Sequence, residues 1–295
     1  MAEKQLRFAL FGKKFQDDKA DLARKILACM EQSGAALYID RSFYDHLTAR
    51  MGLKLTPAGV FDGRYFEADF AVSIGGDGTF LKAASRVGNK QIPILGINMG
   101  RLGFLAEVLP EETKKALDGL KSGGYSIEKR SVILAEASNG QIKGSPFALN
   151  EVAVLKQDNA SMISIKASID GNYLATYRAD GLIVTTPTGS TAYNLSNGGP
   201  VMVPNSGNFC LTAVAPHSLT VRPIVINDDS IVTLDVESRS HNYLIAIDGR
   251  SERLPEHARI RLQKAPYTVG VVTLKDRPYF STLHQKMMWG ADSRM

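Results

Sequence analysis

The stretch Ala71-Val72-Ser73-Ile74-Gly75-Gly76-Asp77-Gly78-Thr79-Phe80-Leu81-Lys82 decides the fold class. A short run of buried-strand composition passes into Gly-Gly-Asp-Gly and then into a helix over about residues 79–87. That order puts bare amides and a helix N-terminus at the carboxyl end of a sheet strand, where α/β folds hold phosphates. Glycines at 75, 76 and 78 imply a backbone that comes close to something. Asp77 sets the loop apart. An acid inside an anion cradle repels phosphate unless it binds a metal, takes a proton from an attacking hydroxyl or accepts hydrogen bonds from a sugar. The plainer alternative, a tight turn in which Asp77 caps the following helix, stays open on the local pattern.

Outward from this loop, the first part of the chain alternates short apolar strands with amphipathic helices, as an α/β layer does. Residues 7–11 read as a strand. Asp17 or Asp18 then caps a helix whose Leu22, Ala23, Ile26, Leu27 and Met30 share one face at 3.6-residue spacing, and Gly34 ends it. Residues 35–39, 68–74 and 92–97 are further strands, and 113–120 is a short helix. From about residue 130 the period changes from 3.6 to 2. Ile163, Ile165, Ala167 and Ile169 alternate with polar neighbours, and Asp170-Gly171 supplies a tight hairpin turn before a return strand at 173–177. Alternation recurs at Val232, Leu234 and Val236, at Tyr243, Ile245 and Ile247, at Ile260 and Leu262, and at Val269 and Val271. The expected fold is α/β plus all-β: a Rossmann-like α/β domain over residues 1–128 and a β-sandwich domain over 129–274. The segment 275–295 holds Leu283, Met287 and Met288 and is expected to pack back on the first domain, with a helix over 281–289.

Composition narrows the function. The chain has 295 residues, 44% hydrophobic and 22% charged, with 26 Gly and 12 Pro, which excludes disordered and collagen-like classes. No apolar run approaches the roughly 20 residues that cross a bilayer. The apolar patch at residues 8–11 is too short for a secretory signal, so the sequence predicts a cytoplasmic protein. Cys29 and Cys210 stand far apart, which fits reduced, buried thiols and neither a metal site nor a disulfide framework. The net charge of +5 favours anionic partners. Its basic residues are scattered in pairs such as Lys13-Lys14, which argues for phosphorylated metabolites and against nucleic acid. Neither G-x-G-x-x-G nor a Walker loop is present, Ser190 lacks the G-x-S-x-G context, and the five histidines are mutually isolated.

Three other stretches are candidates. Gly96-Ile97-Asn98-Met99-Gly100-Arg101-Leu102-Gly103-Phe104-Leu105 ends its strand as the first loop ends its own, so the two can form opposite lips of one crevice, with Arg101 meeting phosphate or solvated. In the β-rich part, residues 185–196 run Thr-Thr-Pro-Thr-Gly-Ser-Thr-Ala-Tyr-Asn-Leu-Ser, which offers hydroxyls and amides to sugar or phosphate and the Tyr193 ring to a base. An ordinary capped turn accounts for those hydroxyls equally well. Asn150-Glu151 is a polar pair where core residues are expected, and buried polar groups need partners.

Together and in this order, these stretches resemble the NAD kinases, especially the bacterial members. Gly-Gly-Asp-Gly is shared with phosphofructokinases and diacylglycerol-type lipid kinases, whereas Thr-Gly-Ser-Thr-Ala-Tyr at 188–193 is far more selective. The resemblance extends to Ala215-Pro216-His217-Ser218-Leu219 and Arg222-Pro223. It implies transfer of the terminal phosphoryl group of ATP to the 2′-hydroxyl of the adenosine ribose of NAD, with a divalent cation, Mg2+, giving NADP. It implies that Asp77 is the catalytic proton acceptor and touches substrate with Gly78, and that Lys82 lies near the NAD phosphates. Asn150 and Glu151 would hold the ribose and adenine side, Arg178 and Asp180 the nicotinamide side and a neighbouring subunit. Thr188, Thr191, Ala192, Tyr193, Asn194, Leu195 and Ser196 would embrace adenine and ribose, with Ala215 close by and Arg250 at a position where relatives vary. A homodimer or homotetramer is the implied assembly; the metal ligands are not implied. The rival readings are a related kinase acting on a lipid or sugar and a non-catalytic NAD(P)-binding module.

Overall fold

Short apolar runs that each feed an amphipathic helix build a parallel sheet, because the helices must cover both of its faces. The computed structural model describes residues 5–15, 19–100, 102–138, 142–157, 161–274 and 278–290. The chain begins with β1 (Arg7–Gly12), α1 (Ala20–Gln32), β2 (Ala36–Asp40), α2 (Arg41–Asp45), β3 (Gly59–Phe61), β4 (Phe70–Gly75), α3 (Asp77–Val87), β5 (Ile94–Asn98), α4 (Thr113–Ser122) and β6 (Tyr125–Arg130). β1 pairs in parallel with β2 and β4, β2 with β3, and β4 with β5. Every residue of β4 and β5 is buried, as central strands covered on both faces must be. α1 buries Ala23, Ile26, Leu27 and Met30, and α4 buries Ala116, Leu117 and Leu120, in one core with Phe8, Leu10, Val72 and Ile74 of the sheet. Each large side chain so buried stabilises the unit by roughly 1.5–3 kcal/mol. Gly34 follows α1 at φ +72°, the left-handed position that ends a helix. The proposed caps Asp17 and Asp18 lie outside the described residues, as does Arg101. α2, continued by a wider turn at His46–Arg50, and the short β3 carry no clear period and escape a sequence reading.

The next stretch is all strand apart from short helical turns: β7 (Ile133–Ala137), β8 (Phe147–Ala148), β9 (Glu151–Lys156), β10 (Ile163–Ile169), β11 (Asn172–Ala179), β12 (Gly181–Thr185), then α5 (Tyr193–Ser196), β13 (Asn208–Val214), β14 (Ile224–Asn227), β15 (Val232–Glu237), β16 (Asn242–Ile247), β17 (Arg250–Pro255) and β18 (Ile260–Lys264). They form two six-stranded sheets, in the orders β11-β10-β15-β18-β7-β8 and β14-β13-β12-β9-β16-β17. Alternate residues of both sheets share one core: Ile163, Ile165, Leu234 and Leu262 from the first, Val152, Val154, Leu182 and Leu211 from the second. That is a sandwich. The hairpin β10–β11 turns at Asp170 and Gly171, at φ +50° and +79°, which is the geometry its Asp-Gly pair favours.

One strand belongs elsewhere than its period implies. Alternation at Val269 and Val271 puts it with the sandwich by sequence, yet β19 (Val269–Leu274) pairs in parallel with β5 through Val271 and Ile94. It completes a seven-stranded sheet in the order β3-β2-β1-β4-β5-β19-β6. Period 2 marks a strand; which sheet admits it depends on partners distant in sequence. The chain accordingly divides into one unit comprising Met1–Lys129 and Val269–Met295 and a second comprising Arg130–Thr268. α6 (Tyr279–Met287) lies in the first unit, burying Thr282 and Leu283, and Thr282 Oγ1 donates to Glu107 at 3.3 Å. It starts and stops earlier than the 281–289 expected, and residues 275–277 and 291–295 lie outside the described residues. Cys210 is buried as expected, whereas Cys29 is only partly covered.

Candidate active site

In the first unit, β4 and β5 are neighbours, so the loops leaving their carboxyl ends lie side by side. Asp77 is the first residue of α3, Gly76 is its N-cap, and no side chain caps the helix. The Asp77 carboxylate instead reaches the second glycine loop. Its Oδ1 accepts the amides of Leu105 and Ala106, and its Oδ2 accepts that of Phe104, all at 3.0 Å. Lys286 of α6 stands 3.4 Å from Oδ2, with its ammonium 4.3 Å from the centre of the Phe104 ring. A Cβ at Gly103 would collide with this carboxylate, and one at Gly75 would collide with Thr79. These two glycines are dictated by the protein's own packing.

Gly76 and Gly78 differ. Nothing lies within 4 Å of where their Cβ atoms would be, and neither has positive φ. Their bareness leaves open space, and beside them is a cavity of about 420 Å³ lined by Lys13, Lys14, Ser42, Gly76, Gly78 and Lys82 among others. Three lysines around a helix N-terminus make it an anion site. Lys82 is committed on this wall: its Nζ donates to the buried Asp40 at 3.0 Å and to Ser42 at 2.9 Å.

In the second unit, β9 pairs with β12, with Glu151 opposite Thr185, so the Asn150-Glu151 pair and the hydroxyl-rich segment after β12 are adjacent. Asn150, Glu151 and Thr188 are all buried. Asn150 Oδ1, Glu151 Oε2 and Thr188 Oγ1 have no hydrogen-bond partner. A buried polar atom left unpaired costs about 1–3 kcal/mol, so three beside one strand pair call for a ligand that supplies donors. Burial, and secondly the charge of Asp248, push the Glu151 carboxyl up to about 7, against a hydrogen bond from the Tyr193 amide. Burial likewise raises Asp248, opposed by the amides it accepts and by Arg250.

The remaining candidates divide. The Tyr193 ring is exposed, Thr191, Ala192 and Leu195 are partly covered, and Ser196 is exposed with its hydroxyl on the Tyr193 carbonyl at 2.9 Å. Asn194 is fully buried and fully used: its amide donates to the carbonyls of Ser190 and Pro200, and its oxygen accepts the Thr212 hydroxyl. Ala215 follows β13 at φ +44°, a left-handed conformation that costs a non-glycine residue roughly 1–2 kcal/mol. Arg178 is exposed on β11, and Asp180 pairs with Lys156 at 2.7 Å. Arg250 donates to the carbonyls of Ser145 and Phe147, within its own unit.

The ATP-NAD kinase N-terminal domain family matches residues 8–125, and the ATP-NAD kinase C-terminal domain family matches 149–274. The chain belongs to the NAD kinase family. It is 52% identical over 290 residues to an NAD kinase of Bacteroides fragilis, covering 98% of this chain and all of that one, and 42% identical to one of Porphyromonas gingivalis, covering 98% and 99%. Among solved structures, an NAD kinase from Archaeoglobus fulgidus in complex with ATP superposes with a TM-score of 0.72 at 26% identity, covering 96% and 99%. Yeast NADH kinase complexed with NADH has a TM-score of 0.87 at 21% identity, covering 99% and 90%, and shows the same fold.

For an NAD kinase, a family of phosphotransferases, the structure adds residues that sequence reasoning passed over. Lys13 and Lys14 stand out only as a basic pair; their place directly after β1, beside Gly12, was the usable signal. Gly103 meets Asp77 from within the second glycine loop, 26 positions away, and Lys286 meets it from 209 positions away, and nothing local announces the lysine. Asp248 was visible only as a neighbour of Arg250.

Proposed function

We propose that the chain phosphorylates the 2′-hydroxyl of the adenosine ribose of NAD, with ATP as donor, to give NADP. Asp77 is the catalytic residue. The observation that carries this reading is a carboxylate fixed by three backbone amides beside two open glycines and a lysine-lined cavity. Phosphoryl transfer asks for positioning and charge neutralisation more than for covalent help. Asp77 Oδ2, which holds one amide and the longer Lys286 contact, accepts the hydrogen of the attacking hydroxyl. Gly76 and Gly78 admit phosphate close to the backbone, Lys13 and Lys14 offset its charge, and Lys82, held by Asp40 and Ser42, lies near the NAD phosphates.

Asn150 Oδ1 and Glu151 Oε2 are acceptors, matched by ribose hydroxyls and an adenine amino group; Thr188 adds a hydroxyl and Tyr193 an exposed ring for stacking. Thr191, Ala192, Leu195 and Ser196 line the same end, with Asn194 as its internal brace, while Ala215 follows β13 at the opposite end of β12, beside Asp180. Arg178 and Asp180 serve the nicotinamide side. Among the described residues no group of three or more His, Cys, Asp or Glu is arranged to hold a metal. A divalent cation, Mg2+, would supply neutralising charge to the transferred phosphoryl group. Assembly as a homodimer or homotetramer and a cytoplasmic location belong to the same proposal; among the described residues no helix is long and apolar enough to cross a membrane.

The test is incubation with NAD, ATP and MgCl2, followed by chromatography for NADP and phosphorus NMR for a 2′-phosphomonoester. Phosphorylation of a sugar or lipid with NAD untouched would replace this reading with the related-kinase one. Binding of NAD with no product from any acceptor would leave a binding module.

A further inference from the structure

Asp248 follows β16 at φ +47°, and Gly249 after it has φ +76°, so the β16–β17 hairpin turns on two left-handed residues. The turn brings a buried carboxylate against the segment that enters β9. Oδ2 accepts the amide of Leu149 at 2.9 Å; Oδ1 accepts those of Asn150 at 2.8 Å and Glu151 at 3.3 Å. The amide of Asp248 in turn donates to the Glu151 carbonyl at 3.1 Å. The same segment is held from its other side. The Asn150 carbonyl accepts the Thr186 amide at 2.9 Å and the Thr185 hydroxyl at 3.1 Å, while the Leu149 carbonyl accepts the Thr186 hydroxyl at 2.6 Å. A Cβ at Gly189 would strike the Asn150 carbonyl, so the clamp tolerates no side chain there.

The contrast within two residues is the decisive point. The backbone of Asn150 and Glu151 is bonded on both sides, yet Asn150 Oδ1 and Glu151 Oε2 have no partner. Burying a carboxylate next to another acid is costly, and a hairpin turn alone does not require it. We propose that Asp248 is a positioning residue for the dinucleotide, its carboxylate gripping three successive amides so that the Asn150 and Glu151 side chains are presented, already oriented, to NAD. The proposal rests on the reading that Asn150 and Glu151 hold NAD. The physical gain is preorganisation: a ligand meeting a fixed pair of acceptors does not have to order them.

Three single variants and one double variant test it, each scored by melting temperature, by equilibrium NAD binding without donor, and by KM for NAD and ATP with kcat. Asp248→Asn turns one of the two accepting oxygens into a donor facing an amide. It should raise KM and Kd for NAD about tenfold, the effect of one lost charge-assisted hydrogen bond. ATP KM should stay unchanged and kcat within about threefold, because the loss is in binding shared by ground and transition states. Asp248→Glu keeps the carboxyl group but displaces it by a methylene and should do the same. Asn150→Ala should weaken NAD binding by a similar factor, and Asn150→Ala with Asp248→Asn should lose much less than the product of the two.

If Asn150→Ala leaves NAD binding intact, the assignment of the pair to NAD fails. If it weakens binding while Asp248→Asn and Asp248→Glu do not, or the double variant is fully multiplicative, only the positioning role fails. Loss of the fold in both Asp248 variants, or an equal fall in kcat and ATP binding, would make Asp248 a structural turn residue and overturn the proposal as well.

Discussion

The clusters around Asp77 and around Asn150-Glu151 treat their polar groups in opposite ways. In the α/β unit the Asp77 carboxylate is held in place by three amides and approached by Lys286, with Oδ2 taking only one of the amides. In the sandwich unit the backbone around Asn150 and Glu151 is saturated while three side-chain atoms are left without partners. A group that must act at one position is worth restraining, because misplacement by about 1 Å can cost around a hundredfold in rate. A group that must receive a ligand has to be left short of partners, at a cost in stability that the ligand's own donors offset. The Asp77 cluster is thus restrained, and the Asn150-Glu151 cluster is open to a ligand.

The strongest way to break this contrast is Asp77→Asn. It should fold, bind NAD and lose roughly 10²- to 10⁴-fold in kcat, the usual size of a general-base contribution; near-normal NADP formation would refute the role of Asp77. Gly103→Ala drives a methyl group into the same carboxylate, and kcat should fall about a hundredfold while NAD binding persists. Retained kcat there would mean that the position of the carboxylate is not critical.

Glu151→Gln sharpens the other side. With its carboxyl pushed up to about 7 by burial and by Asp248, Glu151 holds a proton in the folded state over a range where the unfolded chain has lost it. That stabilisation is complete below the ordinary glutamate value near 4.5 and disappears as pH rises through about 7. Roughly 3 kcal/mol is at stake, so the glutamine variant should melt near the parent's temperature at pH 4.5 and on the order of 5 °C above it at pH 8. A gain independent of pH would show that Glu151 is not strained by its charge. The smallest effect belongs to Lys286→Ala. Both partners of its ion pair are about a third exposed, so stability should change by less than about 1 kcal/mol in denaturant titration.

Much of the fold was readable because β1, β2, β4 and β5 are short apolar runs and α1, α3 and α4 each bury one 3.6-residue face. The sandwich announced itself by alternation and by Asp170-Gly171. What escaped was long-range. β19 has the same period as a sandwich strand, and only its pairing with β5 assigns it. Asp77 and the Asn150-Glu151 pair stand out in the sequence because an acid in a glycine loop and polar residues where core is expected conflict with local expectation, whereas Thr188 is named only by the resemblance. Asn194 is likewise named only by the resemblance, and its side-chain amide bonds Ser190, Pro200 and Thr212.

By itself, then, the sequence determined the periodic strands and helices and the change of architecture near residue 130, which follow from local pattern, while the resemblance of its motifs pointed to the family and to the residue kinds that the chemistry uses. Only the tertiary structure decided which glycines serve packing and which leave room, which polar groups are satisfied, and that Gly103, Lys286 and Asp248 support the residues the motifs name. Those outcomes depend on hydrogen bonds and contacts between residues up to 209 positions apart, and a chain's local propensities carry no record of such partners.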